Sequence, residues 1–310
     1  MKIGIVDLDT SHPTNWIPIE RELGHEIVGL FDGGDIHPAG YAERFAAERG
    51  IGKLFSSIGE MVDQVDCAII HSCNWDTHVE KARPFIDAGK AVLIDKPIAG
   101  NLKDLHQLRD WAKKGHRITG GSSLRFCVET RQWLATPLEE RGTPHFALCG
   151  CAVDEFNYGI HAYSMLTGVL GAGATSVRHL GPGTQRRIEI RYADGRNGTV
   201  VVGPTAAWLP FYATVTTEKS VAQYTADSGK LYRALLEAAL PFLSGQTAEP
   251  PIKPDDWIEP ELCALAASVS WSEGDREVRL SELTQSKVPG YDGQAFATSY
   301  RKMRYSNPTS

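Results

Sequence analysis

Short apolar runs alternate with amphipathic segments over about the first 120 residues. The runs typical of buried strands occupy residues 3–6, 26–31, 67–71 and 90–95. The segments between them repeat their apolar residues at helical spacing, and glycines such as Gly24 and Gly89 end them. Strands that alternate with helices form a parallel sheet covered on both faces. The pattern therefore predicts a doubly wound α/β domain at the N-terminus.

The pattern changes beyond about residue 125. Residues 187–192 alternate with period two, Asp194-Gly195 and Asn197-Gly198 are turn signals, and residues 199–202 begin a partner strand. Apolar periodicity predicts late helices over residues 231–243 and 259–272. The sequence thus predicts three parts. They are a Rossmann dinucleotide-binding-like domain (1–122), a substrate and oligomerisation α/β domain with a largely antiparallel sheet (123–290), and a polar C-terminal tail (291–310).

Composition excludes several classes of protein. The chain has 310 residues, of which 42% are hydrophobic, and 32 basic against 38 acidic residues leave a net charge of −6. Such a chain does not supply the basic surface that nucleic acid or an anionic membrane requires, so we expect neither as a partner. No apolar run is long enough to span a membrane, and Asp7 comes too early for a secretory leader, so we expect a cytoplasmic protein.

Chemistry-bearing residues directly follow the predicted strands. In an open parallel sheet, ligands bind beyond the carboxyl ends of the strands. Residues 7–12, Asp32, residues 71–74 and residues 95–97 stand there. Asp32 lies about 20 residues past the first loop, where a dinucleotide fold places the acid that binds the ribose hydroxyls. Lys96, stiffened by the following proline, could transfer a proton or polarise a hydroxyl at this edge.

A divalent metal at the same edge is an alternative. Asp7, Asp9, His12, His71 and Asp95 would all lie along it if the predicted fold is right. Aspartate and histidine are frequent at strand ends, however, and no spacing among these residues is diagnostic of a metal site. We therefore expect no metal ligands here.

Several motifs resemble the Gfo/Idh/MocA oxidoreductase family, which includes glucose–fructose oxidoreductase and inositol dehydrogenase. Asp95-Lys96-Pro97 is similar to the family's Glu-Lys-Pro motif, and Arg125-Phe126 is similar to its segment at the domain junction. The resemblance also covers residues 65–78 and the pattern near residues 245–280. It implies a nicotinamide cofactor in the first domain, a sugar or cyclitol in the cleft, and proton chemistry by Lys96 and a second-domain histidine, which His161 matches.

The chain departs from the family pattern at two places. The family's glycine-rich loop is replaced by Asp7, Asp9 and His12, and carboxylates would repel a diphosphate. Asn157 stands where the family has aspartate, and an amide cannot take a proton. Either the dinucleotide binds with a shifted diphosphate, or it does not bind.

The resemblance and the strand-end positions together name the candidate site. The catalytic candidates are Lys96, His161 and Asn157; the cofactor-binding candidates are Thr10, Ser11, His12, Asp32, Asn74, Asp95 and Lys96; the substrate-binding candidates are Arg125, Tyr158 and His161. Asp32 favours NAD over NADP because its carboxylate would repel a 2′-phosphate.

We therefore expect an NAD(P)-dependent oxidoreductase that transfers a hydride to or from a sugar, cyclitol or related polyol. Two alternatives stay open. One is a redox-inactive family member that senses a sugar ligand or binds a partner, and the other is a non-redox lyase or epimerase that uses the same cleft, with or without a metal. A second sheet with an apolar open face predicts a homo-oligomer.

Overall fold

A computed structural model describes residues 1–286 and 288–306. The first sheet has five parallel strands in the order β2-β1-β3-β4-β5. They are β1 (Lys2–Val6), β2 (Glu26–Phe31), β3 (Cys67–Ile70), β4 (Ala91–Ile94) and β5 (Ile118–Gly120). Strands β3 and β4 are buried along their whole length, because helices cover both faces of the sheet. The predicted doubly wound domain is confirmed.

Five helices connect these strands, and local capping sets where several of them begin. They are α1 (His12–Glu22), α2 (Tyr41–Arg49), α3 (Ile58–Val62), α4 (His78–Asp87) and α5 (Leu102–Lys113). The Asn101 side chain accepts a hydrogen bond from the backbone N–H of Asp104 at the start of α5. At the start of α4 the Thr77 side chain makes no capping bond, and its hydroxyl donates to the Asn74 carbonyl oxygen.

The second domain is built on a seven-stranded sheet in the order β11-β10-β6-β9-β8-β7-β12. Its elements are α6 (Val128–Ala135), α7 (Leu138–Arg141), β6 (Pro144–Gly150), α8 (Gly159–Leu170), β7 (Ala174–His179), β8 (Arg186–Tyr192), β9 (Asn197–Val202), β10 (Tyr212–Thr217) and β11 (Val221–Thr225), followed by α9 (Leu231–Leu243), α10 (Pro254–Trp257), α11 (Glu259–Ser272) and β12 (Val278–Arg279). Strands β6 and β9 run parallel and the other pairs antiparallel, as predicted.

Helix α9 comes late in the chain but packs on the first sheet. Its apolar residues Leu235, Leu236 and Leu240 share a buried cluster with Ile5 and Leu93 of that sheet. The sequence predicts the helix but not this packing. As a result, the N-terminal end of α9 lies over the carboxyl edge of the first sheet.

The predicted polar tail contains a docked helix. The segment forms α12 (Gly293–Ser306), which binds the first domain, so the expectation of a tail is wrong for the described residues; residues 307–310 lie outside them. Gly293, Ala297, Arg301 and Tyr305 recur every four residues and therefore lie on one helical face. This face carries small and polar residues, and the neighbouring Phe296 and Tyr300 pack, partly buried, against the first domain.

No helix in the described ranges is long and apolar enough to cross a membrane. The homo-oligomer stays a prediction.

Candidate functional site

The loop after β1 is held by ionic and hydrogen bonds from the neighbouring strand ends. Asp7 has a φ of 64°, in the left-handed region that favours glycine. Its carboxylate accepts hydrogen bonds from the Gly33 backbone N–H at 3.0 Å and from the Ser72 hydroxyl, and the Lys81 ammonium lies 2.5 Å away. Asp7 thus takes the place of the family's first loop glycine, and Lys81 on α4 neutralises it. Sequence reasoning missed Lys81, since only the fold brings it to Asp7.

Two further carboxylates lie beside Asp7. Asp9 accepts a hydrogen bond from the Cys73 backbone N–H at 2.8 Å, while its Oδ1 has no partner in the described ranges. Burial, followed by repulsion from Asp7, raises the pKa of Asp9 to about 7. Burial and Asp7 also raise the pKa of Asp32, whose Oδ1 lies 3.4 Å from the Leu8 backbone nitrogen. The region is acidic even with Lys81 in place.

His12, His71 and Asp95 meet at the centre of this edge. Asp95 Oδ2 lies 2.5 Å from His12 Nδ1 and 3.1 Å from His71 Nδ1, and all three side chains are buried. Their donor atoms lie within 4.8 Å of one another, so the set could hold a metal. In this structure the His12–Asp95 contact is a hydrogen bond to a carboxylate.

Lys96 faces the second domain. Its Nζ donates hydrogen bonds to the Asn157 side-chain oxygen at 3.0 Å and to the Asn157 carbonyl oxygen at 3.1 Å, and it lies 5.5 Å from the centre of the Tyr158 ring. The lysine is 9% exposed, and burial lowers the pKa of its ammonium, against the opposing charge of Asp95. Lys96 can therefore release its proton more readily than a surface lysine.

His161, at the start of α8, approaches the same cleft. Its Nδ1 lies 2.6 Å from the Ser122 hydroxyl at the junction of the two domains. Burial, and then the charge of Lys96, hold the pKa of His161 well below its usual range. The imidazole is therefore neutral, and it can either donate or accept a hydrogen bond according to its tautomer.

A cleft of about 210 Å³ joins these groups. Its walls come from both domains and from the start of α9: Ser11, His12, Lys96, Ser123, Leu124, Tyr158, His161, Trp208, Phe211, Ser228, Leu231 and Tyr232. Trp208 is 58% exposed at the mouth, whereas Tyr232 packs edge-on against the His12 ring. Sequence reasoning did not propose Tyr232, because only the packing of α9 on the first sheet brings it there.

The remaining predicted site residues lie elsewhere. Thr10 and Asn74 have other partners: the Thr10 hydroxyl accepts from the His12 backbone N–H, and the Asn74 amide donates to Gln294 on α12. Arg125 lies apart from the cleft residues, and its guanidinium donates to the Asp256 carbonyl oxygen at 3.1 Å. This bond occupies one of the five N–H donors of the guanidinium, so the role of Arg125 in substrate binding stays a prediction.

The fold and cleft define a two-domain α/β protein with a nucleotide-binding type of first domain. Residues 2–120 match the Gfo/Idh/MocA family, described as an oxidoreductase family with an NAD-binding Rossmann fold. The first domain therefore matches that oxidoreductase family over residues 2–120, and the predicted resemblance is confirmed there.

Individual relatives agree with this assignment. A 1,5-anhydro-D-fructose reductase of Ensifer adhaerens is 33% identical over 101 residues, a stretch that spans 32% of this chain and only 29% of that protein. The scyllo-inositol dehydrogenase of Lactobacillus casei, solved with NAD(H) and scyllo-inositol, superposes with a TM-score of 0.75 at 14% identity over 91% of this chain and 99% of that one. A protein of gentamicin A biosynthesis, solved with NAD, superposes with a TM-score of 0.74 at 14% identity over 90% of this chain and 96% of that one. The structural matches show a common fold.

The family implies a nicotinamide dinucleotide, and the residues can be tested against it. In such folds the diphosphate approaches the loop after β1, and the adenosine extends towards the acid that follows β2. Here the loop carries the buried carboxylates Asp7 and Asp9, and α12 lies against the loops after β2 and β3. We call the loops after β2 and β3, where the adenosine would lie, the adenosine end. With α12 in place a dinucleotide does not fit there, although the cleft at Lys96 remains accessible.

Proposed function

We propose that this chain is an oxidoreductase that acts on a small polyhydroxylated substrate, a sugar or cyclitol, in the cleft between the domains. The observation that carries the proposal is the meeting of Lys96 and His161, from different domains, in one cleft of about 210 Å³. Drug-sized ligands need about 300–1,000 Å³, so this cleft suits a single small molecule. Tyr158, Phe211 and Trp208 offer the aromatic surfaces on which a sugar face can pack.

Lys96 is the proposed base for the reacting hydroxyl. Oxidation of a secondary alcohol requires that the hydroxyl proton leave, and a neutral lysine amine can take it. Burial lowers the pKa of Lys96 and so raises the fraction of amine available for this step. The two Asn157 oxygens hold the Nζ atom in place, but the amide itself cannot accept the proton.

His161 is the proposed hydrogen-bonding partner of the substrate. Its neutral ring, oriented by the Ser122 hydroxyl, can hold a hydroxyl group beside Lys96 or pass on the proton that Lys96 takes up. In the reductive direction the same two groups return a proton to the carbonyl oxygen.

The proposed redox partner is NAD or NADP, as family membership implies. Asp32 favours NAD because a carboxylate at this position repels a 2′-phosphate. The preference for NAD over NADP applies to a form of the protein in which α12 does not cover the adenosine end.

The covered adenosine end favours a second candidate function. A family member without redox turnover could bind a sugar in the cleft and report its presence. A Lys96→Met variant separates the two candidates, since a sensor keeps its ligand affinity whereas an enzyme loses turnover.

The test is a screen of sugars and cyclitols for oxidation and for reduction, with NAD and with NADP as the redox partner. The absorbance of the reduced nicotinamide is the readout. Turnover with one class of polyol, abolished by Lys96→Met, supports the proposal. Saturable sugar binding by calorimetry without turnover, in a variant shown to bind the dinucleotide, would contradict it.

A further inference from the structure

Helix α12 crosses the carboxyl edge of the first sheet. Its N-terminal end is bound to the loop after β3, where Asp76 Oδ2 accepts hydrogen bonds from the backbone N–H groups of Gly293 at 2.8 Å and Gln294 at 3.3 Å. Its far end is bound to the loop after β2, where the Arg301 guanidinium donates to the Asp35 carbonyl oxygen at 2.9 Å. Because β1 lies between β2 and β3, a helix bound to both loops passes across the end of β1.

The docked face is shaped to fit closely. A Cβ atom on Gly293 would stand 2.7 Å from Asn74 Oδ1 and 2.9 Å from the Trp75 backbone nitrogen, so only glycine fits there. One turn on, Ala297 is 3% exposed and packs with Ile36 and Cys73. Close packing of this kind indicates that the helix binds in one defined position on the first domain.

The far end of the helix reaches the loop after β1 through one histidine. The Tyr305 hydroxyl lies 2.5 Å from His37 Nδ1, and His37 Nε2 lies 2.9 Å from the Leu8 carbonyl oxygen. Leu8 also places its backbone nitrogen near Asp32, the acid that would bind the adenosine ribose. The helix is therefore connected to the residues that would surround adenosine.

We infer that α12 is a displaceable occupant of the adenosine end, and that the chain binds a nicotinamide dinucleotide tightly only when this helix leaves. The inference rests on the proposed function. An adenosine group and the docked helix compete for the same loops, so each destabilises the bound state of the other. A ligand that binds only the undocked form has its apparent affinity reduced by the fraction of molecules in that form.

The experiment compares matched arginine substitutions in the full chain. Ala297→Arg places a long charged side chain against Ile36 and Cys73, whereas Ala295→Arg places it on the exposed side of the same helix. Hydrogen exchange of the amides in residues 293–306 shows whether the helix has left. Because Ala297→Arg could disturb folding, the double variant Arg301→Ala/Tyr305→Phe serves as a second way to weaken docking.

The probe is ADP-ribose, titrated by calorimetry, since it carries the adenosine half without the redox group. We expect the Kd to fall by at least about tenfold in Ala297→Arg and in the double variant, and to stay at the wild-type value in Ala295→Arg. Equal affinity in all four proteins would overturn the inference. So would a released helix with no gain in binding.

The outcomes separate this inference from the proposed function. If ADP-ribose binding is gained but no polyol is turned over with NAD or NADP, the proposed function fails and the inference stands. If the wild-type chain binds ADP-ribose as tightly as Ala297→Arg does and turns over a polyol, the inference fails and the function stands.

Discussion

At one end of the carboxyl edge, Lys96 and His161 line a cleft that is accessible from solvent, whereas at the other end α12 lies across the loops after β2 and β3. The first end keeps residues that resemble the family's proton-transfer groups. The second end carries Asp7 and Asp9 in place of two of the family's glycines, and the chain's own helix covers the adenosine position. Family membership of a domain therefore does not ensure that every part of its ligand site is retained, because each part depends on different residues.

The largest expected effect is at the cleft. In a form that binds the dinucleotide, Lys96→Met should reduce turnover by about 10²–10⁴-fold, the range typical of a lost acid–base group. Lys103→Met, exposed on α5, is the matched control and should leave turnover unchanged. Steady-state kinetics on both variants checks this, and a Lys96→Met enzyme within twofold of its parent would show that the cleft works without its lysine.

The next effect is on stability at the covered end. Lys81→Met leaves the Asp7 carboxylate buried without its cation, so we expect a loss of about 3–5 kcal/mol in the free energy of unfolding. Adding Asp7→Gly removes the unpaired charge and suits the positive φ, and should restore most of that loss. Urea unfolding measures both, with the exposed Lys114→Met as control. An unchanged stability in Lys81→Met would contradict the described ion pair.

A smaller effect concerns the pH dependence of the cleft. Asn157→Asp places a carboxylate beside Lys96 Nζ, which should raise the pKa of Lys96. Since the neutral amine is the active base, the rise of the pH–rate profile should move to higher pH. A profile that does not move, measured for alcohol oxidation, would show that Lys96 is not the titrating base.

The smallest effect is a pH dependence of helix docking. Burial, followed by the charge of Arg304, lowers the pKa of His37 to about 4. The docked state therefore binds fewer protons at His37 than the free one, so this contact weakens as pH falls from about 6.5 to 4. ADP-ribose should therefore bind up to a few-fold more tightly at the acid end.

Other titratable groups near α12 also contribute to the pH dependence of docking, so the experiment needs a control. His37 also faces Tyr41 and Tyr305, and the raised pKa of Asp76, caused by burial, acts in the opposite direction at the other end of the helix. The difference between the wild-type chain and Tyr305→Phe isolates the His37 contact. If both proteins show the same pH dependence, His37 is not responsible for it.

Much of the fold could be predicted because buried strands and amphipathic helices leave periodic patterns. The helices over residues 231–243 and 259–272 begin and end where the pattern places them. One turn signal was misread: Asn197-Gly198 lies within β9 rather than in a turn. The glycine is needed there for packing, since a Cβ on Gly198 would stand 2.5 Å from the Leu166 side chain.

The site was less predictable because its parts come from distant segments. Lys96 and His161 could be named from motifs, and the structure brings them to one cleft. The Asp7–Lys81 pair joins residues 74 positions apart, and no local pattern links them. The docking of α12 combines small residues at four-residue intervals with the partly buried rings of Phe296 and Tyr300, a pattern that does not by itself separate a docked helix from a polar tail.

Hydrogen exchange of the full wild-type chain with and without saturating NAD, followed at the amides of residues 293–306, tests the displacement of α12 most directly. Bound dinucleotide should speed exchange in this helix, because the helix and the adenosine group cannot occupy the adenosine end at the same time. Unchanged or slower exchange in the helix, at a concentration where calorimetry shows NAD to be bound, would contradict it.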